Sequence, residues 1–225
     1  MMVNEVEQSL VIIKPDGTVR RTVSAFVLKA LLERGYRIRA FKEMDVSKDL
    51  AEMHYAVHKE KPFFPWLVDF ISSAPVLTMI LEGDGVIQGV REALGATFVQ
   101  KAEPDTLRGK YGIWAGINIA HASDAPGTAK DEIALWTEVG GVKLSDEALS
   151  KANEYIERYI TGDADHTMEI RNIVKGSIER QDLSSDITKA LAALFGKDAD
   201  GISEAAISTL ASVVFDFIKE EVEKE

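Results

Sequence analysis

The sequence predicts an α+β protein: a four-stranded antiparallel sheet with helices packed on one face, followed by an all-α C-terminal extension. Three observations carry this. Short apolar runs alternate with helically spaced segments over the first 137 residues, in the order β α β α α β α β α. After Glu138 no convincing strand pattern remains, only helical stripes. The charge also divides at that point: residues 1–137 hold 16 basic and 18 acidic side chains, net −2, and residues 138–225 hold 10 and 19, net −9.

Ser9-Leu10-Val11-Ile12-Ile13, ended by Lys14-Pro15-Asp16-Gly17, reads as a buried strand entering a turn. Val23 to Leu32 has helical spacing and closes at Gly35. Tyr36 to Val46 alternates as a second strand, and Ser47 N-caps a helix through about Val57. Pro62 to Ser72 is a helix, Val76 to Leu81 a third buried strand, and Gly85 to Leu94 a helix stopped by Gly95. Ala96 to Gly116 has no clean period, and a loop of that length is usually functional. Ile117 to Ala120 is a fourth short strand, and Ala125 to Trp136 is a helix with Pro126 in its first turn. Gly140-Gly141 breaks the pattern. Four helical segments follow: one capped by Ser145, then Asp165–Gln181, Ser185–Phe195 and Ser203 to about Glu223. The expected division is residues 1–139 and an acidic helical extension, 140–225.

Composition excludes several classes. With 46% hydrophobic and 28% charged residues the chain is ordinary globular material, not a disordered or collagen-like one. Zero cysteines exclude disulfide scaffolds, thiolate zinc sites and thiol catalysis. No apolar run approaches the about 18–20 residues of a membrane helix. The opening Met1 to Glu7 shows no secretory pattern, so a cytoplasmic setting with no membrane partner is expected. A net charge of −11 argues against a nucleic-acid partner.

Three motif-like features are set aside. His54 and His58 stand i, i+4, but no Glu lies in metalloprotease position and no third ligand is marked, so no metal site is assigned. Gly83-Asp84-Gly85 with Gly89 misses the dinucleotide fingerprint by one place. Placing Gly201 at the sixth position of a calcium loop puts Gly196 and Ile207 where carboxylates are needed.

His121 is different. It follows a short strand and precedes Ala122-Ser123-Asp124, a polar turn of the kind that faces a cleft, and Glu132 lies on the next helix, able to fold back onto the imidazole. Taken alone, the ordinary reading of a hydrogen-bonded, non-reactive histidine still stands first.

At this point a series of motifs accumulates in order: Ile13-Lys14-Pro15-Asp16-Gly17, His54-Tyr55, Lys61-Pro62-Phe63-Phe64, Gly95-Ala96-Thr97, Thr106-Leu107-Arg108-Gly109, Asn118 to Asp124, and Glu132 to Trp136. Over about Glu7 to Trp136 the chain resembles the nucleoside diphosphate kinases. The resemblance implies a ferredoxin-like sandwich. It also implies ping-pong transfer of the terminal phosphate of a nucleoside triphosphate to a nucleoside diphosphate through a phosphohistidine. His121 is then the nucleophile, oriented by Glu132 with support from Ser123. Lys14, Arg91 and Arg108 match phosphate and ribose ligands, Thr97 a hydroxyl donor, and Tyr55 a neighbour of the transferred group. Asn118 with Lys14 holds the sugar hydroxyl, while Phe63 stacks on the base beside Leu67. Mg²⁺ is held mainly by phosphates and water, with no protein metal site. A homo-oligomer, hexamer or tetramer, is expected. The chain departs from the family pattern at Val90, Phe98-Val99, Ile117 and Ala122, near the long loop and the active-site strand, which bears on assembly more than on chemistry. A scaffold with a vestigial site and a nucleic-acid-binding regulator are the rival readings. The extension resembles no family.

Overall fold

The structure is a computed structural model that describes residues 6–160 and 165–224. Residues 1–5, part of the segment from which the absence of a leader is expected, lie outside the described residues. The sheet holds β1 (Gln8–Ile13), β2 (Arg37–Met44), β3 (Val76–Glu82) and β4 (Ala120–Ala122) in the order β2-β3-β1-β4, every pair antiparallel. That is the ferredoxin-like sandwich order.

The helices of this first region are α1 (Pro15–Thr18), α2 (Arg21–Leu32), α3 (Lys48–His54), α4 (Phe64–Ile71), α5 (Val86–Leu94), α6 (Leu107–Tyr111) and α7 (Pro126–Glu138). Ser47 caps α3 as the sequence predicts, accepting the Leu50 N–H at 3.2 Å.

The sheet is covered on both faces, not one. Val11 and Ile13 of β1 pack with α2 and α5, while the alternate residues Leu10 and Ile12 pack with α3, α4 and α7. β1 from Leu10 to Ile13 is an apolar run and β3 is one interrupted at Thr78, and such near-continuous runs suit strands with two buried faces.

Two boundaries differ from expectation. The long loop carries α6, capped by Thr106, which accepts the Gly109 N–H at 3.2 Å. The fourth strand begins later, at Ala120, and contains His121. The cause is Ile119, a β-branched residue at φ 65°, which breaks the extended run Ile117–Ala120. His121 pairs with Ile12 and so shares its face of the sheet, the face under α7.

The extension forms α8 (Ala148–Tyr159), α9 (Thr167–Arg180), α10 (Asp186–Phe195) and α11 (Glu204–Val222). Ser145 accepts the Glu147 N–H in the turn ahead of α8 instead of capping the helix directly. Ala148, Ala152 and Tyr155 of α8 join the core of the sheet. The other three helices build a second core with Trp66, Phe70, Ile113 and Ile117. α4 therefore serves two cores: Val68 and Ile71 face the sheet, Trp66 and Phe70 the extension. Among the described residues no helix is long and apolar enough to cross a membrane.

Candidate active site

The site is assembled from chain turns at one end of the sheet. Lys14 follows β1 directly. Its N–H donates to the Ile119 carbonyl at 2.7 Å, and the Ile119 N–H donates to Asp16 Oδ2 at 3.0 Å. These two bonds hold Ile119 in a conformation that costs about 1–3 kcal/mol. Gly17 allows the approach, since a Cβ there would sit 2.7 Å from Ile13 Cγ2 and 3.1 Å from the Ile119 carbonyl. The strained turn lets Asn118 and His121 both reach one cavity of about 920 Å³.

Of the sequence-predicted residues, Lys14, Tyr55, Phe63, Leu67, Arg91, Thr97, Arg108, Asn118, His121 and Glu132 all line that cavity. Ser123 is fully buried behind it. His121 Nε2 lies 2.8 Å from Glu132 Oε1. A carboxylate accepts only, so the proton is on Nε2 and Nδ1 keeps its lone pair. Ser123 Oγ donates to Glu132 Oε2 at 2.6 Å, and is fixed in turn by the Leu10 N–H at 3.1 Å. Strand β1 thus locks the carboxylate that orients the imidazole.

Lys14 and Arg108 are buried, whereas Arg91 is exposed. Lys14 Nζ donates to Asn118 Oδ1 at 2.8 Å, and Asn118 Nδ2 donates to the Thr97 carbonyl at 2.6 Å. Burial lowers the Lys14 ammonium to about 8, against the raising effect of Asp16, with Arg108 adding to the fall. Burial likewise lowers Arg108 to about 10, with Arg91 contributing. Arg108 donates to the Gly95 and Ala120 carbonyls, both at 2.8 Å, while its Nε is buried without a partner among the described residues. Tyr55 Oη is in the same condition, and burial raises its pKa above the ordinary phenol value. Such groups are stabilised by an anionic, hydrogen-bonding ligand.

Sequence reasoning gave no role to His54, Trp136, Asp124 or Asp16. His54 lies edge-on to His121, with ring centroids 4.5 Å apart. Trp136 Nε1–H, a donor only, points at His54 Nδ1 at 3.2 Å, so His54 carries its proton on Nε2. Burial first, then the neighbouring His121, Lys14 and His58, holds its pKa well below the ordinary value, so the ring is neutral. Donor atoms of His54, His121 and Glu132 fall within 4.8 Å of one another. A metal there meets a protonated Nε2 on one side of His54 and an indole hydrogen bond on the other, so the arrangement does not suit a cation. Glu132 and Trp136 stand i, i+4 on α7, which explains how one helix face orients both imidazoles.

An oriented imidazole beside buried cations, on a ferredoxin-like sheet, defines the class: a phosphotransferase acting on anionic nucleotides. A family model described as nucleoside diphosphate kinase matches residues 7–140, and the chain belongs to that family. It is similar to the nucleoside diphosphate kinase of Microcystis aeruginosa, 49% identical over 130 residues that cover 58% of this chain and 87% of that one. It is also similar to that of Synechococcus sp. strain WH7803, 47% identical over 140 residues, 62% and 90% of the two chains. Among solved structures, a halophilic nucleoside diphosphate kinase from Halobacterium salinarum in complex with CDP superposes with TM-score 0.58 at 37% identity, covering 66% of this chain and 99% of that one. The Aquifex aeolicus enzyme gives 0.57 at 35%, covering 61% and 99%. The matches fall short of the whole chain because it runs on into the helical extension.

Proposed function

We propose that this nucleoside diphosphate kinase works by ping-pong transfer through His121. The observation that carries the reading is the Glu132–His121 pair, which leaves Nδ1 unprotonated on a ring that lines the cavity. Nδ1 attacks the terminal phosphorus of a nucleoside triphosphate. A nitrogen–phosphorus bond forms, the bridging phosphorus–oxygen bond breaks, and the nucleoside diphosphate leaves with its electrons. A second diphosphate then takes the phosphoryl group by the reverse path. Glu132 balances the positive charge that the ring acquires, and Ser123 keeps the carboxylate in place. Lys14, Arg91 and Arg108 neutralise phosphate charge, and Tyr55, Thr97 and Asn118 supply hydrogen bonds. Phe63, with Leu67 beside it, offers a face for the base.

The family is generally Mg²⁺-dependent. The cavity wall near His121 offers the exposed carboxylate of Asp124, too little for an all-protein cage but suited to an ion that keeps phosphate oxygens and waters as ligands. Mg²⁺ bound there would neutralise phosphate charge.

Incubation with γ-labelled ATP, followed by denaturation without acid, tests the mechanism. We expect an acid-labile label on the protein that is absent from His121→Ala and is discharged by a diphosphate. No label, or label surviving that substitution, overturns it.

A homo-oligomer remains part of the reading, formed away from the free edge of β2. There the Ser145 N–H already donates to the Arg39 carbonyl at 2.9 Å, and Lys42 reaches the Gly140 and Gly141 carbonyls. Light scattering that returns a monomer overturns this.

A further inference from the structure

The last turns of α11 reach the nucleotide cavity. Phe217, Glu220, Glu221 and Lys224 line it together with His121 and Phe63. The helix is anchored there: the Val213 carbonyl accepts the Trp66 Nε1–H at 3.0 Å, and the Phe217 ring packs 5.1 Å from Trp66. Glu220 and Glu221 stand three and four residues beyond Phe217, so they share its side of the helix. Burying Phe217 against α4 therefore carries both carboxylates to the cavity.

Charge decides which end of the ligand they meet. With no cation between them carboxylates repel phosphates, and the buried cations Lys14 and Arg108 gather with His121. α11 packs instead on α4, just after Phe63, the half-exposed ring that offers a face to the base. Tyr55 and Arg108, each with a buried polar atom that has no partner among the described residues, line the same cavity.

The two carboxylates differ. Glu221 Oε1 pairs with Lys224 Nζ at 2.7 Å, whereas Glu220 has no ion-pair partner among the described residues. The wall thus offers a free carboxylate beside an ammonium. A guanine edge presents two adjacent N–H donors and one carbonyl acceptor, which match that pair. A uracil edge presents one donor between two carbonyls, which repel a carboxylate.

We propose that α11 supplies, within one chain, a base-reading wall of the nucleotide site, with Glu220 accepting from the base so that guanine nucleotides are preferred. The proposal rests on the transfer reaction proposed above. In stacking-only recognition by Phe63 the bases would be treated alike; the extension converts the site into a selective one.

The test is acceptor specificity of the full chain, phosphorylated from ATP, with GDP and UDP compared by kcat/KM. The expected ratio is at least about tenfold for GDP, the low end of what one bidentate carboxylate–base pair discriminates. Glu220→Gln, which keeps size but removes the charge, is expected to bring the ratio down several-fold. A flat ratio in the unaltered chain, or an unchanged ratio in Glu220→Gln, overturns the wall while the transfer reaction stands. No transfer to either acceptor overturns both. Because the ratio is internal to each preparation, partial misfolding does not alter it. Phe217→Ala, which loosens the anchor, serves as the second variant and must lower the ratio in the same direction.

Discussion

At the scale of single residues, burial sets the chemistry. Lys14 is held down to about 8 by desolvation, and an anionic ligand in the cavity favours its charged form. In the free enzyme the ammonium is lost as pH rises through about 8, so kcat/KM for a nucleotide falls above that point. Once the nucleotide is bound the ammonium is retained, so kcat holds to higher pH. Lys14→Arg does not titrate in this range and should abolish the break in the kcat/KM profile whatever its absolute rate. A profile level to pH 9.5 in the unaltered chain would remove Lys14 from phosphate binding. Glu132→Gln keeps a group at 2.8 Å but frees the imidazole to adopt the wrong tautomer. Phosphorylation by ATP should slow by about 10²–10⁴-fold, read in single turnover. The residues that line the cavity were legible through the resemblance to the nucleoside diphosphate kinases, which an ordered series of motifs carries. His54 was not, because its tautomer depends on Trp136, 82 positions away. The turn at Ile119 was hidden for the opposite reason: nothing in a β-branched residue announces a positive φ.

At the scale of elements, α8 shows how the extension is fastened. Tyr155 Oη accepts from Arg21 Nη1 at 3.0 Å and meets Ser24 Oγ at 2.7 Å, while the Arg21 guanidinium also holds Glu43 at 2.9 Å. The apolar stripe of α8 predicted that it must bury something, but not that the partners were α2 and β2. Periodicity tells which side of a helix is apolar and leaves its docking site open. The second covered face of the sheet, by contrast, was present in the near-continuous apolar runs of β1 and β3 and was missed because connection order alone suggested one layer. Tyr155→Phe leaves the ring packing and removes the hydroxyl. It should cost about 1–3 kcal/mol in urea unfolding, since Arg21 and Ser24 each lose a buried partner. A change below about 0.5 kcal/mol would show that water replaces the hydroxyl and that α8 is held by apolar contact alone.

At the scale of the whole molecule, the question is whether the acidic extension is a separate unit. The charge step and the loss of strand pattern argue for separation, and the packing argues against it. α8 lies in the core of the sheet, and α9–α11 share their core with Trp66 and Phe70 of α4. A polar tie reinforces this. Arg20, fully buried, donates to the Asp16 carbonyl at 2.7 Å, to Thr167 Oγ1 of α9 at 2.7 Å and to the Tyr111 carbonyl at 2.9 Å. It thereby links the turn after β1 to the extension. Detaching α9–α11 would expose that apolar face and strand the guanidinium's partners together, so the two regions should lose structure in one step. Calorimetry is expected to show a single transition whose van't Hoff and calorimetric enthalpies agree. Arg20→Met should lower stability by about 3–5 kcal/mol without splitting it, because the buried Asp16 carboxylate loses the guanidinium that stands 3.8 Å from it. A first transition that melts the extension while phosphate transfer survives would instead make the charge step a true domain boundary. In the coupled case the net −9 belongs to the outer surface of an element whose inner face is structural and whose last helix reaches the nucleotide cavity.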